Sequence, residues 1–400
     1  MTSDRRVDVR PINPEEMDQF AFVAQTALAL HGPGEFQAAQ MTAEWTTCVF
    51  EGDELATTFA AWPFSMRFNG ARLKVAGVTM VGTLPHKRRR GYLRRAMLRS
   101  FDEQRERGQS VAILYASMAA IYQRFGYSVA STHFDYSIDP RDVRFVMEDD
   151  PGGEVTVREA TPDDGQKGSA LDRVYRAYAD SRTLLLHRGM ALWQSGPFAP
   201  GQPADGPNYV ALYEEDGEPL GYVVYSNRSQ GDQPPGERDQ VLTVKDLAWL
   251  TPAAYVGLWR HLGAHDLVRR LRFPSVPEDD PAFRLIEEPR RLRRRWRDGI
   301  LLRVVDAEAA LTGRPYGAPA SLTFELSDPL CEWNRGVWRL ETDGRASTMT
   351  RSDASPDLHI PVHALGAMIG GYLPPSRLAR MGRLEALRPE TLALWDRVFA

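Results

Sequence analysis
Apolar and polar positions change period several times along this chain, and the changes mark out its elements. Val7-Asp8-Val9-Arg10 alternates and predicts a strand; a helix follows, with Asn13 as cap, Pro14 in its first turn, and Met17, Phe20, Phe22, Val23 and Ala27 turned inward. Two hairpins come next, one turning at Glu51-Gly52-Asp53 and one at Asn69-Gly70. Val111 to Ala116 is a continuous apolar run, which suits a central strand covered on both faces. Met118 to Phe125 reads as a short helix ended by Gly126, and Phe134 to Ile138 alternates as a further strand of the same unit.

The acidic, breaker-rich stretch Glu148 to Gly153 sets a boundary at 150. A similar order of elements then repeats: a strand at Glu154 to Arg158, a helix from Leu171 to Tyr178 and a strand pair across Glu215 to Glu218. A strand to Leu250 and a helix from Pro252 to Leu262 complete it. Past 290, alternation returns at Leu301 to Val304, Ala320 to Leu326 and Val337 to Leu340. Helices at Pro361 to Ile369 and Pro389 to Phe399 close the chain. Three domains result, 1–150, 151–290 and 291–400, all of mixed α/β type.

The stretch from Val78 to Met97 organises the first domain. Pro85 ends an apolar strand, Lys87-Arg88-Arg89-Arg90-Gly91 is a basic turn, and Leu93, Ala96, Met97 and Phe101 recur at helical spacing. A helix N-terminus offers unpaired N–H groups and a positive dipole end. With these cations beside it, the turn is suited to phosphate or pyrophosphate.

Composition limits the alternatives. The 400 residues are 43% hydrophobic and 26% charged, ordinary for a globular protein, and the net charge is −4. That balance argues against a general nucleic-acid binder. No apolar run reaches membrane-spanning length and the first residues lack a signal-peptide core, so a cytoplasmic protein with no membrane partner is expected. Cys48 and Cys331 suggest neither a disulfide framework nor a metal site. Glycine, proline, alanine and arginine usage suits a GC-rich bacterial source. Arg290 to Arg297 is the most basic run; it reads as a nucleic-acid or anionic-lipid patch or, as is commoner in an acidic chain, as a solvated strand or linker edge.

Arg88-Arg89-Arg90-Gly91-Tyr92-Leu93-Arg94 after an apolar strand resembles the acyl-CoA pyrophosphate loop of the GNAT acetyltransferases. In its Leu93 it resembles the Eis (enhanced intracellular survival) family in particular. Ile121-Tyr122-Gln123-Arg124-Phe125-Gly126-Tyr127 resembles a second Eis segment. The resemblance implies tandem GNAT folds, the first active and the second degenerate, then a sterol-carrier-protein-like domain. It implies acetyl-CoA as co-substrate, a small-molecule or lysine-type amine acceptor, and a ring-like homo-hexamer.

On this reading Met80, Val81, Thr83, Lys87, Arg88, Arg89, Arg90, Gly91, Tyr92 and Arg94 bind the CoA, and the Val81 main-chain N–H polarises the thioester. Tyr122 matches the family's general acid, although a lone tyrosine is ordinarily a packed aromatic. The family's general base is a terminal carboxylate, which puts Ala400 forward. The chain stops just after the Leu392 to Phe399 helix, which leaves two readings: the Ala400 carboxylate reaches the site some other way, or the base is lacking and a low-pKa amine, a water or another carboxylate substitutes for it. Phe36, Trp45, Trp62, Phe64 and Met118 are candidate pocket walls, each also an ordinary core residue. The acids the family places near the first helix and before the tyrosine segment are missing. A different acyl donor with a less cationic acceptor, or a non-catalytic CoA- or lipid-binding protein, are the alternatives.

Overall fold
The computed structural model describes residues 6–29, 41–146, 152–199, 206–231 and 237–400. It divides into two compact units, residues 1–130 with 300–400, and 131–299.

In the first unit, β1 (Val7–Arg10), α1 (Met17–Leu28), β2 (Cys48–Glu51), β3 (Glu54–Phe68) and β4 (Ala71–Thr83) come first. Asn69 and Gly70 both have positive φ, 49° and 88°, the pairing a tight two-residue hairpin needs. α2 (Tyr92–Glu106) then crosses over to β5 (Val111–Leu114), which lies parallel to β4 and is buried throughout. Ala96, Met97 and Phe101 of α2 pack into the core, as their spacing requires, with Leu93 partly buried beside them. α3 (Ala119–Gln123) and β6 (Ser128–Val129) follow.

The second unit opens with β7 (Thr132–Ile138), then β8 (Glu154–Glu159), α4 (Ala170–Asp180) and α5 (Met190–Ser195). β9 (Asn208–Glu215), β10 (Glu218–Ser229), β11 (Gln240–Trp249), α6 (Pro252–Gly263), β12 (Val268–Pro277), α7 (Ala282–Leu285) and β13 (Arg295–Asp298) complete it. Its seven strands run β13-β7-β12-β11-β10-β9-β8, with β11 and β12 parallel across α6.

The chain then returns to the first unit with β14 (Leu301–Val304), which lies antiparallel to both β5 and β6. The first sheet is thus β1-β2-β3-β4-β5-β14-β6. Next come α8 (Ala307–Thr312), β15 (Ala320–Ser327), β16 (Gly336–Thr342), β17 (Ser347–Arg351) and β18 (Leu358–Pro361). α9 (Val362–Met368), α10 (Pro375–Arg380), β19 (Glu385–Ala386) and α11 (Leu392–Phe399) end the chain. These strands form a five-stranded sheet, β17-β16-β15-β18-β19, with Trp395 of α11 buried edge-on to Phe324 and stacked with Phe399.

Two strands depart from the sequence reading. The strand expected to finish the first domain, 134–138, pairs in the second sheet, and Leu301 to Val304, assigned to the third domain, completes the first sheet. Alternation shows that a segment is a strand but not which open edge receives it. The boundary at 150 falls outside the described residues.

Candidate active site
β4 creates the site by leaving its neighbours. Its pairing with β5 stops at Gly77, opposite Ile113, yet the strand continues to Thr83. On the other side its register against β3 shifts: Thr58 faces Gly82, but Ala60 faces Thr79. Met80 and Val81 therefore share the single position opposite Phe59, a β-bulge. Met80 takes a φ of 51°, rarely adopted by residues with a side chain. Gly82 permits α1 to close on the strand, since a Cβ there would stand 2.7 Å from that of Ala27.

Between the parted strands lies a cavity of about 870 Å³. Val81, Gly82 and Thr83 form one side; Ser117, Met118, Ile121 and Tyr122 form the other; Ala27 and Leu28 of α1 close it. Lys87, Arg88, Arg89, Gly91, Tyr92, Leu93 and Arg94 rim it at the start of α2, with Arg124 and Phe125 beyond. No Asp, Glu or His is among these residues.

The basic loop divides its labour in a way its spelling does not show. Lys87 is buried, and its ammonium lies 2.5 Å from Glu51 and 2.6 Å from Glu54. Those carboxylates, Glu51 foremost, hold the Lys87 pKa above its usual range. Arg90 also turns to Glu51, at 3.1 Å, and does not line the cavity. Arg88 braces the loop on the carbonyls of Thr83, at 3.2 Å, and Ala27, at 3.4 Å. Arg89 and Arg94 line the cavity with no partner among the described residues.

Gly91 caps α2 with φ of 80°, and a Cβ built there would meet nothing within 4 Å, so the space above it is open. Free guanidinium groups, a helix N-terminus and open backbone fit the pyrophosphate of CoA. Lys87 and Arg90, expected as phosphate ligands, are both paired with carboxylates; Lys87 still borders the cavity and Arg90 does not.

Tyr122 lines the cavity from α3, half-buried, its ring edge-on to Tyr127 at 5.9 Å. Burial raises its pKa above the ordinary 10, which keeps the phenol protonated at neutral pH. Tyr127 is fully buried and does not line the cavity.

The other expected residues are dispersed. Met118 lines the cavity, and Thr83 and Tyr92 border it. The Met80 side chain is buried in the α1 core. Trp45 lies under the Arg107 guanidinium and Trp62 packs on the same α1 cluster, while the Phe64 ring covers Gly77; none of the three lines the cavity. Phe36 falls outside the described residues. Ala400 lies at the Asn69-Gly70 hairpin, its carbonyl accepting from Asn69 Nδ2 at 3.4 Å. Val81 is eleven residues on from Gly70 along β4, roughly 35 Å at strand rise, so the Ala400 carboxylate is at the wrong end of the strand to act as base. Arg124, Leu28 and the Glu51–Glu54 clamp were not anticipated; only the Tyr122 segment held a signal, for Arg124.

In the second unit the corresponding position is occupied by protein. Asp246 stands on β11 past the end of its pairing with β12 at Thr243. Arg188 forms a two-pronged ion pair with it, Tyr222 donates to it at 2.6 Å, and the guanidinium lies 3.8 Å over the Tyr175 ring. The turn into α6 has no basic residue; the Thr251 hydroxyl caps it by accepting from Ala254 N. Among the described residues no helix is long and apolar enough to cross a membrane, and no group of three or more metal-ligating side chains gathers.

Family models match along the chain: an acetyltransferase (GNAT) domain at residues 8–130, another acetyltransferase (GNAT) domain at 184–304 and a sterol carrier protein domain at 307–400. An uncharacterized N-acetyltransferase of Streptomyces avermitilis is 35% identical, covering 86% of this chain and 84% of that protein. The N-acetyltransferase Eis of Mycobacterium tuberculosis is 30% identical, covering 82% and 78%. Among solved structures, Eis1 of Mycobacterium abscessus superposes with a TM-score of 0.84 at 27% identity, over 98% of this chain and 97% of that one. A GCN5-related N-acetyltransferase of Anabaena variabilis shares the fold, with a TM-score of 0.86 at 20% identity over 99% and 97%.

Proposed function
The chain belongs to the Eis-like N-acetyltransferases of the GNAT superfamily, and from that premise we propose that its first unit moves an acetyl group from acetyl-CoA to an amine that keeps a usable uncharged fraction at neutral pH. Acetyl-CoA supplies the acyl group as a thioester. The observation that carries the reading is the cavity itself: a phenol and a bulged strand edge at one end, free arginines and a helix N-terminus at the other.

Arg89, Arg94 and the first N–H groups of α2 hold the phosphates. The unpaired edge of β4 aligns the pantetheine arm by main-chain hydrogen bonds, and the Val81 N–H, set off by the bulge, donates to the thioester carbonyl. The neutral amine nitrogen attacks the thioester carbonyl carbon, the C–S bond breaks, and Tyr122 gives its proton to the departing sulfur. The proton the nitrogen loses passes to water, from which the phenol is reprotonated.

The acceptor class follows from what the lining lacks. No described cavity residue is a carboxylate or histidine able to take a proton from an ammonium. An aliphatic ε-amine, with a pKa of about 10.4, is almost wholly protonated at pH 7. Arylamines, hydrazines and α-amines of pKa about 8 or below present a usable neutral fraction without a base. A polycation finds no matching charge in a cavity whose only charged lining groups among the described residues are Lys87 and arginines. A ring-like homo-oligomer belongs to the same proposal.

The test is Tyr122→Phe, assayed as thiol release from acetyl-CoA with an arylamine, a dipeptide α-amine and an aminoglycoside. The phenol makes no hydrogen bond among the described residues and its ring contact survives in Phe, so melting should not change. Turnover should fall about 10²- to 10⁴-fold with the acetyl-CoA KM unchanged. Undiminished turnover would remove Tyr122 from the mechanism. Preference for the aminoglycoside would overturn the acceptor class, and acetyl-CoA binding without release from any amine would favour a binding protein.

A further inference from the structure
The basic run at 290–297 and the strand β12 meet in the second unit, and we propose that together they form a binding groove for a compact polyphosphate anion, separate from the acetyl-transfer site. The register explains the meeting. β7 lies between β12 and β13, with Arg272 opposite Ser137 and Arg295 opposite Asp135. Because side chains alternate along a strand, Arg270, Arg272, Ser137, Asp135 and Arg295 share one face of the sheet. Leu271, Phe273, Tyr136 and Ile138 point the other way, into the core. Arg293 approaches the same face through a left-handed turn, with φ of 44°. These residues border a groove of about 330 Å³.

The charge of that groove is unbalanced. Five arginines line it, against one carboxylate, Asp135. Asp135 is already engaged, 2.5 Å from Arg297 and accepting from Ser275 N at 3.3 Å. Arg269 donates to Gln230 at 2.8 Å. The other four, Arg270, Arg272, Arg293 and Arg295, have no partner among the described residues.

Elsewhere this unit pairs several of its arginines with carboxylates: Arg238 with Asp139, Arg182 with Asp279, Arg158 with Asp164 and Arg188 with Asp246. A merely solvated strand face has cross-strand opposite charges available to it. Here Arg270 and Arg272 instead stand about 7 Å apart on one strand, like charges that repel each other. An anion between them reverses that sign.

The groove also selects the kind of anion. Guanidinium forks match phosphate oxygens in pairs, and the Ser137 hydroxyl adds a neutral donor. Several forks around a small concavity suit a chain of two or three phosphates, free or on a nucleoside. An extended nucleic acid needs a longer basic track than this, and the whole chain carries a net charge of −4.

The experiment is calorimetric titration of the full chain with sodium tripolyphosphate, then with a nucleoside triphosphate and a single-stranded oligonucleotide. The variants are Arg270→Gln/Arg272→Gln, and Arg89→Gln/Arg94→Gln as a control in the other unit. All four side chains are exposed. Tripolyphosphate should bind in a salt-dependent manner, and the Arg270/Arg272 variant should weaken it at least tenfold while leaving acetyl-CoA binding unchanged. A nucleoside triphosphate binding more tightly than tripolyphosphate would identify the source as a nucleotide; equal affinities would assign the site to the phosphates alone. Absence of binding would overturn the proposal. So would loss confined to the Arg89/Arg94 variant, which would place the anion at the acetyl-CoA loop, or tighter binding of the oligonucleotide, which would make the groove part of a nucleic-acid track. None of these outcomes bears on Tyr122, so the two proposals fail separately.

Discussion

Asp328→Asn should destabilise the first unit more than any surface change. Arg303, on β14, is fully buried, and its Nη2 donates to both oxygens of Asp328 at 2.8 and 2.6 Å; Asp328 is equally buried. Asp328 also accepts from Leu330 N and Cys331 N at 3.1 Å and from Asn334 Nδ2 at 2.8 Å. The opposite side of the guanidinium presses on Gly126, where a Cβ would come within 2.9 Å of Nη1. That is the turn just after Tyr122.

Asparagine keeps the shape and an acceptor oxygen but leaves the Arg303 charge uncompensated without access to water. Removing one partner of a buried pair costs about 3–5 kcal/mol. For a unit of this size, each kcal/mol moves the melting temperature by about 2–4 °C, so a fall of roughly 6–20 °C is expected. Arg303→Met combined with Asp328→Asn removes both charges and keeps an acceptor for the loop N–H groups. It should recover most of the loss, as a large favourable coupling between the two sites. Circular-dichroism melts of the four proteins measure this, with thiol release assayed well below each melt reporting on Tyr122. A single-variant shift under 2 °C, or a double variant no better than Asp328→Asn, would refute the account of the pair.

Two other predictions follow from the same structure. Arg89→Gln/Arg94→Gln should raise the acetyl-CoA KM at least tenfold with little change in melting, because neither guanidinium has a described protein partner to lose; an unchanged KM would remove the loop from phosphate binding. Asp280 is buried, and desolvation pushes its carboxyl up to about 6, despite donors from Tyr255 at 2.9 Å and Ala282 N at 3.0 Å. A folded-state pKa raised above the unfolded value gives stability present below about pH 4 and lost as pH rises through 6, about 3 kcal/mol in all. Asp280→Asn should flatten that dependence, read by urea unfolding of the second unit between pH 4 and 8.

The sequence alone determined what local chemistry controls. Asn69-Gly70 gives its hairpin because both positions must take positive φ. The spacing of Ala96, Met97 and Phe101 fixes the inward face of α2, and Gly91 after a basic run places open backbone at its N-terminus. Tyr122 was legible only as part of its segment, since nothing in a single tyrosine separates a catalytic from a packed ring. Tertiary structure decided everything that depends on residues distant in the chain. Glu51 and Glu54 withdraw Lys87 and Arg90 from a loop that reads as uniformly basic. β14 crosses back into the first sheet after 169 residues of another unit, bringing Arg303 to Asp328. The bulge at Met80 depends on the register against β3, and the place of Ala400 on where α11 packs. Local sequence sets dihedral preference and face; partner, register and the pairing of charge are settled only when the chain closes on itself.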